Sequence, residues 1–393
     1  MKRWILAMAL SGWAAGASVF INLLLAFQLP VVEYGLWVKL TALLPLVSAL
    51  MAPMVLMCSR VTPEHATQAR QAEHILVLAA TSAGILALGL VVMDGMLQVA
   101  YLAAIALWVV SICKVALDGL LWSPSILRLG MADKIARSMS PTAVLVGLMV
   151  FRPTTTMSAC LCIAAATGLC ALGTMRWFSR QLNRESISLA QAIRLYMQEL
   201  PSAYLSLVSL GVYSIPLFVF STKTDHSAAA LLGISLTLVQ GASAFATIIL
   251  SQRLLSVASV LTLGKVRSVM KIGAPIAISL MCCLLALVLI GSYGIYRSIP
   301  SWPTLALATG CLVLVETSQG MMTNVLLRLG KRKVIVSATV SAIFNVLLGV
   351  TLVDPIPFIC AISCVQFVAF LLPGVWQIHQ LVKAKGSNLQ VSF

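Results

Sequence analysis

The chain has 393 residues, of which 60% are hydrophobic and 9% charged, and its mean hydropathy is +1.02. A soluble domain averages about 45–50% apolar and about 25% charged residues, so a soluble globular, disordered, collagen-like or disulfide-scaffold protein is excluded and the chain reads as an integral membrane protein. The net charge of +15, from 26 Lys+Arg against 11 Asp+Glu, would suggest nucleic acid in a soluble protein; here it has to be placed by topology first.

In chain order, Lys2-Arg3 and the apolar run behind them resemble a signal peptide. The run continues to Leu29, however, about 25 residues and enough to span a bilayer, so an uncleaved first helix is expected. Apolar windows give twelve spans, near 5–28, 36–58, 75–93, 97–122, 136–151, 156–178, 201–221, 228–250, 272–295, 303–326, 333–353 and 356–379. The runs do not alternate as barrel strands do, and lipid-exposed backbone must satisfy itself, so the spans are helices. With the N-terminus in the cytoplasm, 21 cations fall on that side and three, Arg152, Lys223 and Arg297, on the other. Lys39 and Lys114 fall inside spans. This split predicts that both termini are cytoplasmic and that the positive charge is topology, with no nucleic-acid partner. The largest loop, 179–200, is amphipathic and fits along the cytoplasmic face. No loop could hold a soluble catalytic domain, so an enzyme is not expected.

Charged and polar residues inside spans cost energy and mark function by default, about 2.5–3.5 kcal/mol for a charge at the bilayer centre. The first span carries Ser11, Ser18 and Asn22, and the second carries Lys39 near one end, where snorkelling competes with contact to an anionic substrate. Lys114 and Asp118 lie four apart in the fourth span. They read either as a substrate- or ion-touching pair or as a mutually neutralised structural pair. Ser202, Ser206, Ser209, Tyr213 and Pro216 share one face of the seventh span. Thr237, Gln240, Thr247 and Ser251 mark the eighth. In the tenth, Glu316, Gln319, Thr323 and Asn324 form a polar stripe that suits a hydrated cavity. Single hydroxyls also line ordinary helix contacts, but the stripes together argue for a central aqueous cleft.

The ten cysteines read as small packing residues, with no metal site and no disulfide framework. His65, His74, His226 and His379 are scattered, without ligand spacing. Gly264-Lys265 and Gly330-Lys331 lack the phosphate-loop pattern, and no GxSxG or HExxH occurs. No energy-coupling ATPase and no cofactor is indicated.

Residues 126–130 read ILRLG and residues 326–330 read LLRLG, at an offset of 200. The same offset maps Met1 onto Pro201, at the start of the seventh span. Two copies of six spans share one orientation, as in parallel-repeat transporters. The expected domains are a six-helix lobe at 1–178, a linker at 179–200 and a second lobe at 201–393. The fold class is thus an all-α polytopic membrane protein with about twelve transmembrane helices in two parallel six-helix lobes around a central cleft.

Three places carry a family resemblance. They are Val32-Glu33-Tyr34-Gly35-Leu36-Trp37 after the first span, Ser221-Thr222-Lys223-Thr224-Asp225 with Ala228–Ile234 after the seventh, and Asn324–Lys331 after the tenth. Together they resemble bacterial O-antigen and polysaccharide flippases of the multidrug/oligosaccharidyl-lipid/polysaccharide exporter superfamily. The resemblance implies a bacterial inner-membrane transporter whose lobes open alternately inward and outward. Its substrate would be an undecaprenyl-pyrophosphate-linked oligosaccharide, such as a lipopolysaccharide O-antigen unit. Lys39 and Lys114 would be the cations facing the pyrophosphate, with Arg128 and Arg328 at the cytoplasmic mouth. Proton or sodium coupling through Glu316 or Asp118 is left open, and a polysaccharide polymerase and a chain-length protein are the implied partners beside membrane lipids. An ion-coupled multidrug or cation antiporter of the same superfamily is the alternative. Such antiporters commonly carry an acid in helix one, and residues 5–29 contain none. A membrane glycosyltransferase or polymerase and a non-transporting scaffold are the remaining readings.

Overall fold

A computed structural model describes residues 2–42, 105–107, 109–111, 131–179, 215–239, 301–328 and 333–383, with the single positions 190, 194, 197, 241 and 286. All regular structure among the described residues is helical. The expected sites Lys114, Asp118, Arg128, Tyr213 and Gln240 lie outside the described residues, as do the third and most of the fourth and ninth expected spans.

Residues cluster into two units, one of 1–210 with 225–230 and one of 211–224 with 231–393. In the first unit α1 runs Lys2–Gln28 and α2 runs Val31–Thr41. Pro30 sits between them, disfavouring helix in Leu29 and starting α2 with a φ of −54°. The second helix therefore begins at Val31 rather than near 36, and Glu33-Tyr34-Gly35 belongs to its first turns. Helix α3 is Met131–Phe151 and α4 is Thr156–Ser179. Pro141 lies inside α3. At its end Arg152 turns left-handed, with φ 43°, and Pro153 then prevents continuation. Helix α1 packs on α3, α3 on α4, and α2 on α4.

Residues 215–223 form α5, and α6 is His226–Val239. In the second unit α7 spans Trp302–Arg328, α8 spans Lys333–Thr351 and α9 spans Pro355–Gln366. Extended Asp354 caps α9 and Pro355 opens it, where a missing N–H costs nothing. Five residues, Phe367–Leu371, then take π-helical register before α10, Leu372–Lys383. Pro373 explains the change of register. It has no N–H to give to a carbonyl one turn back, and a wider turn relieves the ring. The N–H of Leu372 accordingly reaches the carbonyl of Phe367. Helix α9 packs against both α7 and α8. Phe220 stacks on Phe358 with centroids 4.5 Å apart, and both rings are fully buried.

Phe151 and Thr351, the last residues of α3 and α8, stand at the offset of 200 shared by the two pentapeptides. Each helix ends at a proline-containing turn and is followed by a long apolar helix.

The exterior is apolar. Phe27, Val150, Phe151, Leu169, Val336 and Val368 are each about 60–75% exposed. Among the described residues, Thr156–Thr174 and Pro355–Gln377 are long and apolar enough to cross a membrane. Large apolar side chains turned outward along helices of this length match a hydrocarbon solvent, not water.

Candidate functional site

The described members of the expected site fall in separate helices. Asn22 lies in α1 and is half-buried. Its Oδ1 accepts from the indole N–H of Trp37 at 3.3 Å, and its Nδ2 donates to the Ser18 carbonyl at 3.1 Å. The amide therefore ties α1 to α2. Lys39 occupies the last turn of α2 and is half-buried. A cation there is favoured by the helix's negative end. Glu316 is half-buried in the middle of α7. Gln319, Asn324 and Arg328 follow on the same unbroken helix, which preserves the spacing of the stripe.

Other functional geometry went unread in the sequence. At the turn end of the first unit, Glu33 holds the start of α4. The Thr156 backbone N–H donates to Glu33 Oε2 at 2.7 Å, and the Thr156 hydroxyl lies 2.7 Å from both Oε2 and the Glu33 carbonyl oxygen. Thr155 caps the Ser158 N–H through its own hydroxyl at 3.3 Å, and the Glu33 carboxylate adds a second acceptor for the Thr156 N–H and negative charge at the helix N-terminus. Beside it, the Gln28 amide donates to the Leu148 carbonyl at 3.2 Å, near the end of α3. In the second unit the Lys223 ammonium donates to the Val350 carbonyl, near the end of α8. One side chain thus closes the end of the corresponding helix in each unit.

Two glycines mark close backbone approach. A methyl on Gly35 would lie 1.9 Å from the His226 carbonyl oxygen, so α2 and the first turn of α6 touch through bare backbone. A methyl on Gly349 would lie 2.8 Å from the Pro216 carbonyl oxygen.

The interior of the second unit is unusually polar for a membrane body. Thr309, Ser341, Asn345 and Gln366 are all 0% exposed. At 1.5 Å rise per residue, Thr309 lies about 10 Å from the start of α7, Asn345 about 9 Å from the end of α8 and Gln366 about 17 Å from the start of α9. The Thr309 hydroxyl donates to the Leu305 carbonyl at 2.8 Å. Burying such groups in hydrocarbon is unfavourable unless they are hydrogen-bonded. Asn345 and Gln366 were legible as isolated amides within apolar runs, the same signal that singled out Glu316.

A long groove lies between α3 and α4. It encloses about 1340 Å³ and is lined by small residues such as Ala143, Gly147, Ala166 and Gly173 between larger ones such as Val146 and Leu169. No group of three metal-ligating side chains occurs among the described residues.

The fold has counterparts among solved structures. An inward-facing multidrug-resistance MATE transporter of the MOP superfamily superposes with a TM-score of 0.55 at 13% identity, over 97% of this chain and 96% of that one. The lipid II flippase MurJ in an inward closed conformation superposes with a TM-score of 0.59 at 15% identity, over 96% and 90%. A MOP-superfamily transporter from Pyrococcus furiosus gives 0.52 at 11%, over 96% and 95%. No protein-family model and no curated protein sequence matches the chain. The protein is therefore an all-α polytopic membrane protein whose fold matches those of the MATE and MurJ structures, and twelve helices are consistent with them. Its similarity extends over nearly the whole length both of multidrug transporters and of a lipid flippase.

Proposed function

We propose that the chain is a transporter that flips an undecaprenyl-pyrophosphate-linked oligosaccharide, the repeat unit of O-antigen or another surface polysaccharide. It moves the unit from the cytoplasmic to the periplasmic leaflet of the bacterial inner membrane by alternating access of its lobes, 1–178 and 201–393. The observation that carries this reading is the near full-length likeness to a protein described as a lipid II flippase. The sequence motifs around Glu33, Lys223 and Asn324 point the same way.

Lys39 and Lys114 are the cations for the pyrophosphate, with Arg128 and Arg328 at the cytoplasmic mouth. Asn22, Asp118, Tyr213, Gln240, Glu316, Gln319 and Asn324 line the polar path. An inside-negative potential favours outward movement of the head group by about 2.3 kcal/mol per charge per 100 mV. Proton or sodium coupling and docking to a polymerase or chain-length protein are further steps of this proposal.

The second reading, a multidrug antiporter, is favoured by the likeness to the MATE transporter. The absence of Asp and Glu from α1 weighs against it, given the acidic first helix common in such antiporters. The test is a deletion strain of the source bacterium. Undecaprenyl-linked oligosaccharides should accumulate while surface polymer is lost. Unchanged pools together with drug sensitivity would replace the flippase with the antiporter.

A further inference from the structure

The groove between α3 and α4 has three properties that together define an occupant. Its wall offers water almost nothing. The Thr174 hydroxyl donates to the Cys170 carbonyl at 2.8 Å and the Ser158 hydroxyl to the Thr155 carbonyl at 2.8 Å. The hydroxyls in the lining are thus engaged within their own segment of chain, and the remaining surface is aliphatic, aromatic or sulfur.

The groove is also long. Its lining runs from Met139 to Phe151 on α3 and from Ser158 to Thr174 on α4. At 1.5 Å per residue that is about 18–24 Å, most of a hydrocarbon core of roughly 30 Å. Small residues recur along its lining, Ala143 on α3 and Ala165, Ala166 and Gly173 on α4, and a Cβ built at Gly173 has nothing within 4 Å. Such openings accept a chain that carries a methyl branch at regular intervals.

Finally, an exposed arginine stands at each end, Arg152 beyond Phe151 and Arg176 beyond Thr174. An apolar groove of this depth with a cation at both mouths is complementary to an anionic lipid whose head is held at either face.

We infer that this groove holds the polyisoprenoid chain of an anionic lipid while its head passes from the Arg176 end to the Arg152 end. The inference rests on the flippase reading and adds to it the place of the lipid tail. The occupant is a polyprenyl phosphate or pyrophosphate, not a bilayer phospholipid and not a second copy of the chain.

Gly173 provides the lever. A Cβ added there meets nothing within 4 Å, so Gly173→Phe starts its side chain into the open groove. The full-length protein, in nanodiscs, is photolabelled with a polyprenyl phosphate bearing a diazirine at its far end. Labelled peptides are then mapped by mass spectrometry. Label is expected within 139–174 and is competed by undecaprenyl phosphate at least tenfold better than by phosphatidylglycerol. Gly173→Phe should lower labelling about tenfold, the equivalent of losing contact with two buried methylenes. Ala165→Leu is the second variant should Gly173→Phe misfold.

Equal competition by phosphatidylglycerol would show ordinary bilayer chains in the groove and overturn the inference. Label elsewhere, labelling unaffected by the folded variant, or crosslinks joining two copies through this face would overturn it as well. The deletion strain is a separate readout. Its failure would remove the flippase while a specific polyprenyl crosslink still stood, and a failed crosslink would leave export itself untouched.

Discussion

Glu33 and Thr156 are joined twice, through the threonine's N–H and through its hydroxyl, each 2.7 Å from the same carboxylate oxygen. Thr156 is 0% exposed, so losing the carboxylate leaves its N–H unpaired, while its hydroxyl keeps the Glu33 carbonyl and Thr155 keeps the Ser158 N–H. Glu33→Ala should lower stability by about 1–2 kcal/mol, the range for loss of a helix cap, read as a fall in Tm of the purified protein. Glu33→Gln, which keeps an acceptor and removes the charge, should fall between. Glu33→Ala and Thr156→Val together should cost less than the sum of the two, because they remove one interaction. Additive losses would mean that the pair does not act as a clasp.

Glycine to alanine should have opposite signs at two positions in the same unit. At Gly35 the new methyl collides with the His226 backbone carbonyl at 1.9 Å. Backbone cannot rotate away, so Gly35→Ala should cost about 1–3 kcal/mol or more and reduce the amount of folded protein. At Gly16 nothing lies within 4 Å, and Gly16→Ala in mid-helix should gain about 0.5–1 kcal/mol. Thermal melts of the two variants side by side decide the point.

Ser341 is fully buried, and its Oγ has no hydrogen-bond partner among the described residues. Deleting an unsatisfied buried hydroxyl relieves its desolvation cost, about 1–3 kcal/mol. Ser341→Ala should therefore leave Tm unchanged or raise it. A clear fall would assign the hydroxyl a partner that the geometry does not show.

The charges within helices should separate transport from folding. Lys39→Met and Glu316→Gln should each cut export of lipid-linked oligosaccharide by about tenfold or more, roughly 1.4 kcal/mol of barrier. Membrane insertion and Tm should change little. Export at the wild-type level in both variants would remove these residues from the path.

Much of the helical plan was open to sequence because hydrocarbon imposes so few solutions. The expected spans at 136–151, 156–178, 303–326 and 333–353 differ by only a few residues from α3, α4, α7 and α8. The starts of α2 and α3 each lie five residues before the expected ones, where the residues stop being uniformly apolar. Nothing local reveals that the Glu33 carboxylate reaches a helix 123 residues away. The glycine at 35 is explained only by the approach of another backbone, that of His226. Asn345 and Gln366 carried a legible signal, polarity inside an apolar run, but their burial depends on which helix faces meet. The groove was hidden for the same reason. Its floor residues are common small residues in any membrane helix, and only the geometry of α3 against α4 sets them in line.

The span of 123 residues between Glu33 and Thr156 also dictates an order of events during synthesis. At about 5–20 residues per second, roughly 6–25 s pass between the making of the carboxylate and the making of the threonine that it captures. Through that interval the first two helices exist without their clasp, and Glu33 has only solvent or lipid head groups to satisfy it. A carboxylate can wait at a water interface but not in hydrocarbon, which fixes the depth at which the hairpin of α1 and α2 rests before the rest of its unit arrives. The residue that locks the finished fold is thus also a float that keeps the nascent one in register.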